Sequence, residues 1–106
     1  MPKYLAQARY SPAGLKGLMK EGGTKRREAV ENAMKSVGGR VDAFYFAFGE
    51  TDVFSIVDIP DQVSAVAISG VINASGASTV RLTPLITVEE VDKAVKKAAQ
   101  YRAPGQ

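Results

Sequence analysis

A chain of 106 residues and 11.3 kDa, 45% apolar and 24% charged, has room for one globular domain with a single modest core. It contains no cysteine and no histidine, which excludes disulfides, thiol nucleophiles, Ser-His and Cys-His triads and nearly all common zinc sites, so no metal and no cofactor are expected. The net charge of +3, from 14 basic against 11 acidic residues, gives only weak attraction to nucleic acid, and neither an apolar run of about 18 residues nor a charged leader is present, so a soluble, cytoplasmic protein is expected.

Lys3–Tyr10 alternates, with Tyr4, Ala6, Ala8 and Tyr10 on one side and Leu5, Gln7 and Arg9 on the other, which is the period of a strand. Ser11-Pro12 then opens a short helix as N-cap and first helical residue, with Leu15, Leu18 and Met19 as its expected buried stripe. Gly22-Gly23 ends or kinks it. Thr24 is the expected N-cap of a second helix running to about Val37, which would bury Ala29, Val30, Ala33, Met34 and Val37. Gly38-Gly39 closes that helix.

Two aromatic and β-branched runs, Val41–Phe48 and Val53–Ile59, flank Gly49-Glu50-Thr51-Asp52 and predict a hairpin. Phe44, Phe46 and Phe48 share one side of the first strand; Val41, Ala43, Tyr45 and Ala47 share the other. An even turn then puts Val53, Ser55, Val57 and Ile59 on the phenylalanine side, and Asp52, Phe54, Ile56 and Asp58 on the tyrosine side. Neither face is polar, so helices should cover one, and a partner or a ligand cavity the other.

Pro60-Asp61 begins a helix over roughly Gln62–Ser75 that is rich in small residues, which suggests close packing on the sheet. Ser78–Ile86 reads as a fourth strand, placed at an edge by Pro84, with Val80, Leu82 and Ile86 on one side and Thr79, Arg81, Thr83 and Leu85 on the other. Thr87-Val88-Glu89-Glu90 is a capping box, and the last helix, reaching to about Gln100, carries the stripe Val88, Val91, Val95 and Ala98. Residues 1–100 form the single domain and 101–106 a flexible tail. The order β-α-β-β-α-β-α predicts an α+β, ferredoxin-like fold: a four-stranded antiparallel sheet ordered 4-1-3-2, with helices on one face and the other face bare for association into a homo-oligomer.

Several blocks of this sequence together resemble the GYD domain family of small bacterial proteins. They are the opening MPKYLAQARYSPAGLKGLMKEGG, then TKRREAVE, AFYFAFGETDV, the helix ending NASGAS, and LTPLITVEEVDKAV. The likeness covers about residues 2–97. At the hairpin turn Gly49 and Asp52 match the family's signature, with threonine where its aromatic residue would stand. The resemblance implies the same fold and an oligomer, and supplies no established chemistry.

Three groups of residues could form a site. Gly23, Thr24, Lys25 and Arg26 put flexible backbone, a helix start and cations together, an arrangement that suits a phosphate or carboxylate, although such a group is more often a capped, solvated basic turn. Gln7, Arg9 and Arg81, with Tyr45, Asp52 and Phe54 nearby, could bind a small anionic or aromatic molecule by bidentate hydrogen bonds and stacking; alternatively the arginines pair with Asp52 or Asp58 across a dimer interface. Asp52 as a base and Tyr4, Tyr10 or Tyr45 as an acid would carry any proton transfer, although aspartate at a turn more often satisfies backbone N–H groups. Lys93, Lys96 and Lys97 read as a solvated helix face. A ligand-binding module, a cofactor-independent enzyme (isomerase, monooxygenase or decarboxylase) and a structural or regulatory assembly unit all remain open, with binding ranked first.

Overall fold

The computed structural model describes residues 1–106 and has the expected element order. Strands β1 (Lys3–Tyr10), β2 (Arg40–Phe46), β3 (Val53–Asp58) and β4 (Ser78–Leu85) form one antiparallel sheet in the order β2-β3-β1-β4. Helices α1 (Pro12–Glu21), α2 (Gly23–Ser36) and α3 (Gln62–Ala74) provide the crossovers, and α4 (Val88–Val95) follows the edge strand β4. No helix is long and apolar enough to cross a membrane.

Helix ends follow the caps written in the sequence, with one exception. Ser11 Oγ accepts from Gly14 N at 3.1 Å, Asp61 Oδ1 accepts from Ser64 N at 2.7 Å, and Thr87 and Glu90 form the reciprocal capping box of α4. The exception is α2: it starts at Gly23 behind Gly22, whose φ is 85°, so Thr24 lies inside the first turn and caps nothing. With Gly22 rather than Thr24 at the cap position, the helix begins two residues early.

The hairpin keeps its even parity, Phe46 opposing Val53 and Tyr45 opposing Phe54, so the two faces sort as expected over most of its length. Its connection runs from Ala47 to Asp52, longer than the four-residue turn, and leaves Phe48 fully in solvent rather than beside Phe46. A register shift between Val41 and Ala43 makes a second correction. The extra residue of a bulge reverses the alternation, so Val41 sits opposite Val57 and packs against the core instead of sharing the Tyr45 side.

The core is small and lies towards one end of the helix-covered face. Tyr4, Met34, Val57, Ile59, Ala65 and Ile68 are buried together, with Ala33, Val37, Val41, Ile72 and Leu82 packed around them. Asn73 fastens α3 to the edge strand, its Oδ1 accepting from Val80 N at 2.7 Å. The close approach of α3 to the sheet is limited to this side: Ala65 and Ile68 are buried, Val63, Val66 and Val71 are exposed, and a Cβ on Gly70 would meet nothing within 4 Å. The expected stripes of α1 and α4 are corrected more strongly. Of the α1 stripe only Leu18 is half-buried while Leu15 and Met19 are exposed, and every residue of α4 lies in solvent, because α1 touches α2 and β1 along one edge only and α4 has no element of its own chain behind its stripe. Helix α4 also stops at Val95, short of Gln100.

Candidate functional site

The hollow beneath the helices begins with the small side chains of β1. Ala6 and Ala8 point to the helix face, opposite Ser55 and Val53 on β3 and Leu82 and Val80 on β4. Large side chains in this row would meet α2 and α3; small ones leave a gap. The result is a cavity of about 300 Å³, walled by Ala6, Ala8, Val53, Ser55, Val57, Val80 and Phe44 from the sheet, Val30 and Met34 from α2, and Val71 and Ile72 from α3. Twelve of its 17 lining residues are hydrophobic. Such a space has the size and polarity balance of a small-ligand pocket.

Its polar groups gather at the end of β1. Tyr10 and Arg26 both line the cavity, together with Ser75 and Ser78. Burial raises the Tyr10 phenol above its ordinary pKa, and the Arg26 cation opposes that shift, so the phenol is protonated at neutral pH and can donate a hydrogen bond. Arg26 has one weak ionic partner, Glu21 at 3.8 Å, which leaves most of its five donors free. Ser55 is already satisfied, donating to Ala43 O at 2.6 Å. Gly14 closes the wall at this end: its backbone packs so tightly on Ala77 O that a Cβ would lie 1.9 Å from that oxygen. Ser11 N donates to the same oxygen at 3.0 Å.

The residues singled out from the sequence fall in three places. Tyr45, Phe54, Gln7 and Arg81 form one row across all four strands on the bare face of the sheet, in that order. Arg81 Nη2 donates to Gln7 Oε1 at 3.4 Å, and Arg9 lies one step along, opposite Thr79. Gln7, Arg9, Thr79 and Arg81, with Glu50 and Thr51 of the hairpin connection, line a polar groove of about 350 Å³. Asp52 stands apart from that row. Its Oδ2 accepts from Tyr10 N at 2.8 Å and its own N donates to Ala8 O at 2.9 Å, so it fastens the hairpin to the end of β1. Of the glycine-basic group, Gly23 packs against Phe46, Thr24 and Lys25 face solvent, and Arg26 alone reaches the cavity.

Sequence reasoning missed the cavity lining itself. The available signal was the pair of alanines on the helix side of β1, where a central strand usually carries larger side chains. A charged cluster at the opposite end of the bare face was also missed. Asp58, nearly buried, accepts from Lys3 Nζ at 3.0 Å and Arg40 Nε at 2.8 Å, while Asp42 pairs with both cations. The hydrogen bonds from Lys3 and then Arg40 hold the Asp58 carboxyl below its ordinary pKa.

Comparison with curated proteins and with solved structures finds no match for this chain. A family model described as the GYD domain matches residues 4–95, which takes in all of the sheet but Lys3, the helices that cover it and α4. The chain belongs to the GYD domain family.

Proposed function

We propose that this domain binds a small molecule with an apolar body and an anionic or hydrogen-bond-accepting end, held between the sheet and helices α1–α3. The supporting observation is the apolar cavity of about 300 Å³ with Arg26 and Tyr10 at one end. The apolar part of the ligand lies against Ala6, Ala8, Val53 and Val80, where it displaces poorly bonded water, and its polar end meets the Arg26 guanidinium and the neutral Tyr10 phenol. A carboxylate gains a bidentate partner there. Asp52 supports this end indirectly by fixing the backbone of Tyr10.

Calorimetric titration with 2-naphthoate, an apolar ring carrying one carboxylate, tests the reading, alongside native mass spectrometry of the gently purified protein for a retained ligand. Wild type is expected to bind. Ala8→Leu fills the space and should abolish binding while leaving the circular dichroism spectrum intact. Arg26→Gln should weaken binding about tenfold or more, the loss of one charge-assisted contact. Binding that survives Ala8→Leu unchanged, or no binding by wild type together with no retained mass, refutes the proposal.

A further inference from the structure

The chain exposes far more surface than its mass warrants. A compact monomer of 11.3 kDa has an accessible area of about 5,700 Å², and this one has 7827 Å². Its radius of gyration is 17.0 Å, against about 13 Å for a compact chain of this length. The surplus of about 2,100 Å² per chain, buried twice over in a pair, falls within the range of obligate dimers.

Helix α4 is the main projection. Val88 and Val95 are 73% and 77% exposed, and with Val91 they make one apolar stripe on a helix whose start is fixed by a complete capping box. Leu85, also exposed, lies between that stripe and the bare sheet face, whose apolar residues are Leu5, Ile56, Phe54 and Tyr45. The charges match too. Asp92 and Glu89 on α4 have no ionic partner, and the groove at the far end of the sheet holds two unpaired arginines, Arg9 and Arg81, against the one carboxylate of Glu50.

We infer that α4 is an arm exchanged between two copies of this chain, its valine stripe laid on the partner's bare sheet face and its acidic side against the Arg9–Arg81 groove. A two-fold axis perpendicular to the strands meets both requirements, because it sets the Leu85 end of one sheet, where α4 departs, over the Arg9 end of the other. The arm and the ligand cavity lie on different faces of the sheet, so the two readings fail separately. Ala8→Leu should leave the assembly unchanged.

Sedimentation equilibrium of the full chain at micromolar concentration provides the test. Wild type should sediment at twice 11.3 kDa. Val91→Asp, at an exposed position that folding does not need, should weaken association about 100-fold. Asp92→Lys should weaken it less, and Arg81→Glu should restore part of that loss when combined with it. Val66→Asp on the outer side of α3 should have no effect. A monomeric wild type, or a dimer that Val91→Asp leaves intact, overturns the inference; so does dissociation by Val66→Asp alone, which would move the interface to α3.

Discussion

The two ends of the space under the helices differ in one respect, the size of the side chains that meet there. At one end Tyr4, Met34, Val57, Ile59 and Ile68 close on each other, with Val57 and Ile59 completely buried. At the other, Ala8, Gly14, Ala77 and Ser78 leave a hollow roofed by the same helices. The backbone scaffold is common to both, so side-chain volume alone separates a core from a cavity. The dense end carries the stability that lets the other go unfilled by the chain's own side chains.

The largest effect expected from this contrast is at the dense end. Ile59→Ala, at full burial, should cost about 3 kcal/mol of unfolding free energy, read as a fall in the guanidinium midpoint at constant slope. An equivalent change at the hollow end, Val80→Ala, should cost much less, because Val80 already borders empty space. Equal costs at the two sites would erase the distinction.

Two glycines on one helix sharpen the comparison. Gly14 touches the Ala77 carbonyl, and a Cβ there would sit 1.9 Å from its oxygen, so Gly14→Ala should push α1 off the α3–β4 connection and destabilise by about 1–3 kcal/mol. Gly17, three residues on, has nothing within 4 Å. Gly17→Ala should stabilise by about 0.5–1 kcal/mol through helix propensity alone. Thermal unfolding of the pair should therefore shift in opposite directions, and a common sign would mean that α1 does not seat against Ala77.

The bare face of the sheet behind the dense end is where pH should act. Asp58 has a folded-state pKa below its unfolded value because Lys3 and Arg40 hydrogen-bond its charged form. The stability it contributes is complete above the unfolded carboxylate value of about 3.9 and is lost as pH falls through the lower folded value. Asp58→Asn should lower the melting temperature by a few degrees at neutral pH, since both cations retain Asp42 and much of the cluster is open to solvent screening. Acid titration of the variant should show a shallower loss of stability than wild type below about pH 4. Parallel curves would assign the acid transition to other carboxyl groups.

Much of this molecule was legible in its residues. The alternation of Lys3–Tyr10, the caps at Ser11, Asp61 and Thr87, and the edge position implied by Pro84 are local signals. They gave the strands and three of the four helix starts, and right-handed crossovers applied to that element order gave the sheet order that the structure has. The row of Tyr45, Phe54, Gln7 and Arg81 was legible for the same reason, since register follows from parity once the hairpin is placed. Parity also marked the limit, because one bulge at Asp42 moved Val41 to the other face.

What local pattern cannot carry is the presence or absence of a neighbour. Leu15, Met19 and Val91 have the spacing of buried residues and lie in solvent, whereas Ala8 looks unremarkable and lines the cavity. A sequence writes which side of an element is apolar, because that depends on backbone period alone. Whether the side is covered, and by side chains large enough to meet, depends on distances between segments far apart in the chain. Tertiary structure decided those distances, and with them the separation of core, cavity and exposed helix α4.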